Sequence, residues 1–375
     1  MSVRIVIPKE THPGEKRVAV VPELLSKFAQ NGFELCIESN AAQGLGLNDS
    51  AYAAIEVRSR AKLFENANIV LRVQPPTIDE IKEYPEGTVL VSFMQPHSGD
   101  ERIKVLKERK ITSFAMELIP RISRAQSLDA LSSQASIAGY KAVIMAADKI
   151  TKFFPMLTTA AGTIRPGRVL IIGAGVAGLQ AIATAKRLGA IVEAYDVRAA
   201  TKEQVESLGA KFVDVGMKAE GQGGYARDLT EEEKTKQRDI LAQHVAKADV
   251  IIATAAIPGR ASPRIIDQAM VDNMRPGAVI IDLAAEGGGN CALTQAGEEI
   301  VYNGVTILGP LNLASSLAVN ASEMYAKNLY NFLLLMVKNG ELQLDWKDQI
   351  IADSALTHDG EIKYGPAKDR IEGKQ

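Results

Sequence analysis

The sequence has few cysteines, few aromatic residues and no long apolar run. Its two cysteines, Cys36 and Cys291, lie far apart and lack CxxC spacing, so the sequence predicts neither a disulfide framework nor a cysteine-based metal site. The longest uncharged apolar runs, such as residues 331–337, fall well short of the ~18 residues that cross a bilayer. The N-terminal MSVRIVIPKE does not fit a signal peptide. We therefore expect a cytoplasmic chain without a metal centre.

The sequence also has no excess of charge of either sign. Lysine and arginine number 43 and aspartate and glutamate 45, which gives a formal net charge of -2. This balance offers no basic surface for phosphate groups, so no nucleic-acid partner is expected. Hydrophobic residues make up 46% and charged residues 23%, which is typical of a globular protein. At roughly 150 residues per domain, a chain of 375 residues predicts two domains.

Strand-like apolar runs alternate with amphipathic stretches, which predicts an α/β fold with parallel sheets. Long helices are predicted at 128–154 and at 313–337, where the chain returns to the first domain. We expect two Rossmann-like parallel-sheet domains joined by these helices, with a cleft between them. The first domain comprises 1–131 and 317–375, and the second 132–316. The predicted strands are 4–8, 34–38, 68–73, 88–94 and 111–116 in the first domain, and lie within 168–175, 191–197, 211–215, 250–255, 278–284 and 305–309 in the second.

A glycine motif follows the first strand of the second domain. Gly173, Gly175 and Gly178 form a GxGxxG pattern between that strand and a predicted helix. Gly173 suits a tight turn, Gly175 leaves room for a pyrophosphate at the helix N-terminus, and Gly178 permits close packing of helix on strand. Val176 and Ala177, at the start of the helix, belong to the same predicted dinucleotide site.

The residues after the next strand bear on the choice of cofactor. Asp196 lies 18 residues after Gly178, where a carboxylate accepts hydrogen bonds from the adenosine ribose and repels a 2′-phosphate. Val197 and Arg198 follow and are included in the predicted site. Arg198 leaves the choice open, because an arginine can pair with a 2′-phosphate. The pattern as a whole favours NAD(H) over NADP(H).

Two further segments of this domain are candidates for contact with the cofactor. The Gly-rich stretch 216–229, which contains Gly224 and Tyr225, is either a lid or an ordinary surface loop. The end of the fourth strand, 254–259, consists mainly of small residues. Small residues are needed where backbone approaches a nucleoside closely.

Several longer motifs give the chain a family resemblance. They are ELIPRISRAQSLD at 117–129, LSSQ at 131–134, DVRAATKEQVESL at 196–208, GGYAR at 223–227 and IDLAAEGGGNC at 281–291. With these motifs the chain resembles, over nearly its full length, the NAD(H)-binding domain-one (alpha) subunit of proton-translocating NAD(P) transhydrogenases. That family belongs to the same superfamily as alanine dehydrogenase.

The resemblance implies a reaction and a set of site residues. In that family hydride passes directly from NADH to NADP⁺, with Re/Si specificity, so no general base is required. The resemblance assigns Arg121, Gln126 and Asp129 to a catalytic loop over the nicotinamide. It adds cofactor contacts at Leu128, Ser132, Gly224, Tyr225, Gln237 and Ala256.

The resemblance also implies partners. The family's subunit is a homodimer, its NADP(H) is bound by a partner domain rather than by this chain, and its proton channel is a separate membrane domain. We therefore expect this chain to be attached peripherally to a membrane through partner subunits.

Two other interpretations remain open. An alanine dehydrogenase shares the fold, but that family's catalytic His and Lys correspond to Gln95 and Arg72 here, and neither can exchange a proton near neutral pH. Arg17 is retained, and a local shift in register would bring His97 to the catalytic position. A non-catalytic NAD(H)-sensing subunit would keep the glycine motif but would not need the catalytic residues of 121–129.

Overall fold

The computed structural model describes residues 3–216, 230–257, 259–338 and 340–373. The chain forms two compact units. One contains the residues up to Gln134 and from Ser315 onwards, and the other spans Ala135–Ala314. Each unit contains a mostly parallel sheet together with helices. The predicted α/β class with two domains is therefore confirmed.

The first unit contains an eight-stranded sheet. Its strands are β1 (Val3–Ile7), β2 (Phe33–Glu38), β3 (Glu56–Arg58), β4 (Ile69–Leu71), β5 (Val89–Ser92), β6 (Thr112–Ala115), β18 (Ala355–His358) and β19 (Glu361–Ile362). Their order across the sheet is β3-β2-β1-β4-β5-β6-β18-β19. The first six are parallel and follow the 3-2-1-4-5-6 order of a doubly wound sheet. The topological switch point of this unit therefore lies between β1 and β4.

The last two strands join this sheet in the antiparallel direction. β18 pairs antiparallel with β6, with Ala355 opposite Phe114, and β19 pairs antiparallel with β18. The tail of the sequence shows only short strand-like runs, and no local pattern indicates which distant strand they join. The pairing was therefore missed.

Two hydrophobic cores lie on the two faces of this sheet. Successive side chains of β1 alternate between them, as they must in a strand: Ile5 and Ile7 belong to the core that contains Phe332, and Val6 belongs to the core that contains Ile103.

The helices of the unit are α1 (Leu25–Gln30), α2 (Arg60–Leu63), α3 (Ile78–Glu83), α4 (Glu101–Glu108), α10 (Ala318–Leu333), α11 (Gln349–Ser354) and α12 (Gly365–Ile371). A small hairpin, β16 (Val337–Lys338) with β17 (Glu341–Leu342), and 3-10 turns at Pro22–Leu24, Gln43–Leu45, Asp49–Tyr52, Met116–Leu118 and Ser123–Leu128 complete it.

The second unit contains a seven-stranded sheet. Its strands are β9 (Arg168–Ile172), β10 (Ile191–Tyr195), β11 (Lys211–Phe212), β12 (Val250–Ala253), β13 (Val279–Asp282), β14 (Glu299–Tyr302) and β15 (Val305–Leu308), in the order β11-β10-β9-β12-β13-β15-β14. The six parallel strands again follow the order of a doubly wound sheet, and the switch point lies between β9 and β12.

One edge of this sheet is antiparallel. β14 pairs antiparallel with β15, and the two strands are joined by Asn303 (φ +49°) and Gly304 (φ +79°). An Asn-Gly pair with two positive φ angles is the preferred two-residue hairpin turn, so the signal was present in the sequence.

The unit also contains the hairpin β7 (Leu157–Thr159) with β8 (Gly162–Ile164), helices α6 (Val176–Arg187), α7 (Lys202–Ser207), α8 (Glu231–Val245) and α9 (Gln268–Asp272), and 3-10 turns at Ala199–Thr201 and Ala285–Gly287.

Two chain segments contain the boundaries between the units. The first boundary falls within helix α5 (Ala130–Lys149), and the second falls within a 3-10 turn (Leu313–Leu317) that precedes α10. Both helices are shorter than the predicted 128–154 and 313–337. The domain boundaries predicted from the sequence, after residues 131 and 316, stay a prediction. In the described part of the chain, no helix is both long and apolar enough to cross a membrane.

Candidate dinucleotide site

The predicted glycine turn lies at the switch point of the second unit. Gly173 directly follows β9, has φ +94°, and donates its N–H to the Tyr195 carbonyl at 2.8 Å. A Cβ at Gly173 would lie 2.6 Å from the Thr254 hydroxyl oxygen. The position therefore requires glycine both for its conformation and for its space. Ligands of doubly wound sheets bind at this point, beyond the carboxyl ends of the strands.

Close packing around the start of helix α6 depends on two further glycines. A Cβ at Gly178 would lie 1.8 Å from the Gly173 carbonyl oxygen. A Cβ at Gly139, in helix α5, would lie 2.1 Å from the Ala177 carbonyl oxygen. Gly139 was not singled out from the sequence, although an isolated glycine in a helical pattern is a sign of close packing. The backbone around this turn is therefore held tightly from two sides.

Gly175 differs from the other two glycines of the motif because it borders open space. Among the residues that the structure describes, no heavy atom outside the immediate chain lies within 4 Å of a Cβ built there. Gly175 is the N-cap of the 12-residue helix α6 and supplies no side-chain cap, and the neighbouring Val176 is 41% exposed. The first N–H groups of a helix and its dipole favour an anion such as a pyrophosphate. The turn thus has the space and the polarity that a dinucleotide requires.

Asp196 and Arg198 form a compact ion pair beside this turn. Asp196 is 8% exposed, and its carboxylate accepts hydrogen bonds from the Ala174 N–H (2.7 Å) and the Arg198 N–H (2.8 Å). The Arg198 guanidinium donates to both carboxylate oxygens, at 2.9 and 2.8 Å. Val197, between them, is partly buried against the core. The carboxylate therefore stands where the ribose of an adenosine is expected, with a guanidinium bound to it.

Of two other predicted residues, Gln237 lies in helix α8 and contacts the last residue of β10, and Ala256 lies after β12. The Gln237 side-chain amide donates to the Tyr195 hydroxyl at 2.6 Å, and burial raises the pKa of Tyr195 well above its ordinary value. Ala256 is exposed in the segment after β12. In the same segment the Thr254 hydroxyl donates to the Gly173 carbonyl at 3.0 Å. The second unit therefore brings the glycine turn, the segment after β12 and Asp196 together at one edge of its sheet.

The predicted catalytic loop lies in the first unit, around the 3-10 turn that ends at Leu128. Leu128 is 3% exposed and anchors the turn in the core, whereas Arg121 and Gln126 have exposed side chains. The two carboxylate oxygens of Asp129 accept hydrogen bonds from the Ser132 N–H (2.9 Å) and hydroxyl (2.6 Å). Asp129 therefore caps the beginning of helix α5.

Helix α10 holds the main chain of this loop. The Ser127 carbonyl accepts hydrogen bonds from the side-chain amides of Asn328 (2.9 Å) and Asn331 (3.2 Å). Asn328 is 7% exposed, and its Oδ1 accepts from the Ser133 hydroxyl at 2.8 Å. The residue next to Gln126 is therefore fixed through its backbone. These asparagines were not identified from the sequence, because their partners become neighbours only in the fold.

The switch point of the first unit is filled by the chain's own charged side chains. Arg72 follows β4, is fully buried, and contacts Glu80 at 2.6 Å and Glu10 at 3.4 Å. Glu10 also accepts a hydrogen bond from the Val73 N–H at 2.6 Å. Burial raises the pKa of Glu10, against the opposing effect of Arg72. The charges of Arg72, Glu10 and Glu80 are therefore neutralised by one another and not by a ligand.

Arg17, in the same unit, is bound by an internal carboxylate. Its guanidinium donates to both oxygens of Glu15, at 2.8 and 2.6 Å, and to the Gln134 side-chain oxygen at 2.8 Å. The Arg17 side chain is 4% exposed and that of Glu15 is 0% exposed. Burial acts to raise the pKa of Glu15, but the bonds and charge of Arg17 lower it to about 2. The two parallel hydrogen bonds from Arg17 to Glu15 are the bidentate geometry in which an arginine binds a carboxylate.

The positions expected to correspond to the catalytic His of alanine dehydrogenase carry other interactions. Gln95 has φ +51°, and its N–H donates to Glu117 at 2.8 Å. Glu117 is partly buried, and burial raises the pKa of its carboxyl. The His97 ring nitrogen Nδ1 lies 3.1 Å from the Tyr364 hydroxyl, and burial, assisted by Arg370, lowers the pKa of His97.

The predicted site residues thus fall into two sets, one in each unit. Gly224 and Tyr225 lie outside the described residues. No cluster of metal-ligating side chains occurs in the ranges that the structure describes. The second unit contains Gly173, Gly175, Val176, Ala177, Gly178, Asp196, Val197, Arg198, Gln237 and Ala256, and the first contains Arg121, Gln126, Leu128, Asp129 and Ser132.

Comparison with known proteins covers almost the whole chain. The family model described as alanine dehydrogenase/PNT, N-terminal domain, matches residues 6–138, and the model for the C-terminal domain matches 142–365. A protein of Rhodospirillum rubrum, named as the first portion of NAD(P) transhydrogenase subunit alpha, is 47% identical over 376 residues, which cover 96% of this chain and 98% of that protein. The crystal structure of transhydrogenase from Sinorhizobium meliloti has a TM-score of 0.85 at 42% identity and covers 96% of this chain and 99% of that one. An alanine dehydrogenase of Halomonas elongata is 26% identical over 96% of this chain and 95% of that protein.

Proposed function

Because this chain belongs to the alanine dehydrogenase/PNT family, and within it to the NAD(P) transhydrogenase alpha subunits, we propose that it is the NAD(H)-binding component of a proton-translocating NAD(P) transhydrogenase. Hydride passes directly, with Re/Si specificity, from NADH on this chain to NADP⁺ on a partner domain. Other subunits couple the transfer to proton movement across a membrane. The observation that carries the cofactor site is the open space at Gly175, at the N-terminus of α6.

The charges near the glycine turn support NAD(H) as the cofactor of this chain. A 2′-phosphate placed beside Asp196 would meet a buried carboxylate, which repels it. Arg198, the group that could offset this repulsion, already has its guanidinium on both oxygens of Asp196. A ribose with free hydroxyls avoids the repulsion. NADP(H) is therefore assigned to the partner domain.

The loop of the first unit supports direct hydride transfer rather than acid–base catalysis. When bound, the nicotinamide supplies the hydride, so the protein has to orient the ring and exclude water. The exposed Gln126 amide can donate and accept hydrogen bonds without titrating, and Arg121 offers a fixed positive charge. Asp129 fixes the end of the loop through Ser132. We assign these three residues, Arg121, Gln126 and Asp129, to the reaction.

An alanine dehydrogenase-like activity is less well supported by the side chains present. That reaction needs a residue that exchanges protons and a cation that holds the 2-oxo acid. The Gln95 amide does not titrate, and Arg72 and Arg17 are each bound by buried internal carboxylates. A substrate carboxylate would have to displace these ion pairs.

The names of the relatives support an assembly with other subunits, since they are called subunit alpha. We propose a homodimer of this chain that docks on an NADP(H)-binding domain and, through it or beside it, on a membrane proton-channel domain. The chain would then be cytoplasmic and attached to the membrane only through its partners.

The proposal is tested by measuring NADH oxidation by the purified chain with two acceptor systems. One is NADP⁺ together with the NADP(H)-binding domain of a transhydrogenase, and the other is pyruvate with ammonia. We expect turnover only with the first, because only that system accepts a hydride without a proton-exchanging residue. Turnover with pyruvate and ammonia would instead establish an amino-acid dehydrogenase.

A binding measurement on the same preparation separates the third interpretation. NADH binding without turnover in either system, with a partner domain that is active towards another alpha subunit, would indicate a sensing subunit. A chain that does not bind NADH would contradict the proposal at its first step.

A further inference from the structure

The segment after β12 is held by a buried asparagine that lies outside the predicted set of site residues. The N–H of Ala255 donates to Asn290 Oδ1 at 3.0 Å, and the carbonyl of Ala255 accepts from Asn290 Nδ2 at 2.8 Å. Asn290 is 0% exposed, and its Nδ2 also donates to the Pro263 carbonyl at 2.8 Å. One amide therefore binds both backbone groups of the residue that lies between Thr254 and the exposed Ala256.

Asn290 is held in turn by the carboxylate at the end of β13. Asp282 is 0% exposed, and its Oδ2 accepts from the Asn290 N–H (2.7 Å), the Cys291 N–H (2.9 Å) and the Thr294 hydroxyl (2.7 Å). Its Oδ1 accepts from the Ala284 N–H at 3.0 Å. Hydrogen bonds to an ionised acceptor are stronger than neutral ones, particularly in a buried position. The main chain at Asn290 is therefore rigid.

The glycines before Asn290 let the chain wrap this carboxylate. Gly288 and Gly289 have φ +100° and +83°, and a Cβ at Gly289 would lie 2.9 Å from Asp282 Oδ2. A Cβ at Gly287 would lie 2.3 Å from the Ser262 hydroxyl oxygen. The GGGNC sequence therefore forms a compact turn, and this turn positions the side-chain amide of Asn290.

The same segment is connected to the glycine turn. The Thr254 N–H donates to the Ile172 carbonyl at 2.7 Å, and the Thr254 hydroxyl donates to the Gly173 carbonyl at 3.0 Å. Hydrogen bonds therefore connect Asp282 to Asn290 and Asn290 to Ala255, and the adjacent Thr254 connects this segment to the turn that begins the predicted cofactor site. All of these groups belong to the second unit.

We infer that Asn290 is a positioning residue of the dinucleotide site. It holds Ala255 so that Ala256 and the glycine turn keep the spacing that bound NAD(H) requires. Asn290 acts through backbone and does not touch the cofactor. The inference rests on the proposed function, because it assumes that NAD(H) binds at this edge of the sheet.

The test compares Asn290→Ala with Asp249→Ala in the full chain. Asp249 is 7% exposed and directly precedes β12, at the opposite end of the same strand, and it binds the Arg168 N–H and the Lys152 amine, each at 2.8 Å. Both variants lose a buried hydrogen-bonding side chain and should lower the melting temperature. We expect only Asn290→Ala to raise the dissociation constant of NADH, by about tenfold or more, because ordering the freed segment opposes binding.

A second variant tests the positioning role of Asn290 with a side chain of the same shape. Asn290→Asp retains the acceptor for the Ala255 N–H, but its ionised form has no donor for the Ala255 and Pro263 carbonyls. Protonation restores one donor. Full burial and the adjacent Asp282 should raise the pKa of a carboxyl at this position. We therefore expect the ratio of variant to wild-type dissociation constants for NADH to fall as the pH is lowered from about 8 to about 5.

Three outcomes would overturn the inference. They are unchanged NADH affinity in Asn290→Ala, an equal loss of affinity in Asp249→Ala, and a pH-independent ratio for Asn290→Asp. A wild-type chain that does not bind NADH would instead contradict the proposed function, so the two failures are distinguishable.

Discussion

At the scale of single residues, the three glycines of the turn serve three different physical purposes. Gly173 provides a positive φ angle, Gly178 provides the absence of a side chain against a carbonyl, and Gly175 provides open space beside a helix N-terminus. The spacing of the motif predicts these three roles in the sequence, and the contacts agree with the structural roles of Gly173 and Gly178. Substitution by alanine should separate these roles.

Gly175→Ala is expected to lower NADH affinity at unchanged stability, whereas Gly178→Ala is expected to lower stability. Gly175 has φ -77° and room for a Cβ, so its alanine variant should keep the wild-type melting temperature and lose NADH affinity about tenfold or more, because the methyl group fills the pyrophosphate position. Gly178→Ala should unfold at a lower temperature, because overpacking of this kind costs about 1–3 kcal/mol or more. Thermal melts and NADH titrations of both variants provide the measurement. Equal affinity of Gly175→Ala and wild type would exclude this turn from the cofactor site.

At the scale of elements, the loop that carries Gln126 is a short turn whose C-terminal end is fixed by two helices. Helix α10 holds the Ser127 carbonyl through Asn328, and Asp129 caps helix α5 through Ser132. The main chain therefore cannot follow a shortened side chain. A small change at Gln126 should consequently be seen in the transfer of hydride rather than in folding.

Gln126→Asn is expected to slow hydride transfer from NADH to NADP⁺ by about tenfold or more while leaving NADH affinity within about twofold. The variant keeps the amide but withdraws it by one methylene, and misplacement by about 1 Å is costly when catalysis depends on orientation. Single-turnover transfer rates and NADH titrations would measure the two effects. Ser127→Ala is the matched control, because Ser127 is anchored through its backbone carbonyl and its variant should transfer hydride at the wild-type rate. A wild-type rate in Gln126→Asn would remove the residue from the mechanism.

At the scale of the whole molecule, the two sheets share the order of their six parallel strands, but their switch points differ in the charge of the residues that line them. In the second unit the switch point is lined by glycine and small residues. In the first unit it holds Arg72 with Glu10 and Glu80, close to the buried pair of Arg17 and Glu15. Breaking a buried ion pair leaves an uncompensated charge and is strongly destabilising. The charges of the first unit should therefore affect the stability of the protein more directly than those of the second.

The stability of the protein at acid pH should depend on Glu15. Its pKa in the folded chain is about 2, below its ordinary value of 4.5, so its contribution is complete above pH 4.5 and is lost as the pH falls towards 2. This difference corresponds to about 3 kcal/mol, at about 1.4 kcal/mol per pH unit. Glu15→Gln should therefore be less stable than wild type at pH 7, and the gap should close as the pH is lowered below 4.5. Urea unfolding at a series of pH values measures the gap.

Glu86→Gln is the control for this measurement. The Glu86 side chain is 67% exposed and pairs with Lys110 at the surface, where ion pairs contribute little. We expect its gap from wild type to be small at every pH. A gap for Glu15→Gln that is constant between pH 7 and pH 3 would show that Glu15 acts through packing rather than through its charge.

Much of the architecture could be predicted from the sequence because it depends on local patterns. The runs that form β9 and β10 and the glycines between β9 and α6 are encoded within a few residues of one another, and hydrophobic periodicity identifies them. The hairpin of β14 and β15 carried its own Asn303-Gly304 signal, which was overlooked. The pairing of β18 with β6 has no such signal, because the partner strands are far apart in the chain.

The sequence by itself determined the two-domain α/β class, the glycine turn and the family, since each depends on residue types at fixed spacing. Only the tertiary structure decided which charges are used internally. It placed Glu15 on Arg17 and Glu10 on Arg72, and it brought Asn290 onto the backbone of Ala255. The physical reason is that a hydrogen bond or an ion pair depends on the distance between groups from different segments, and the fold alone sets that distance.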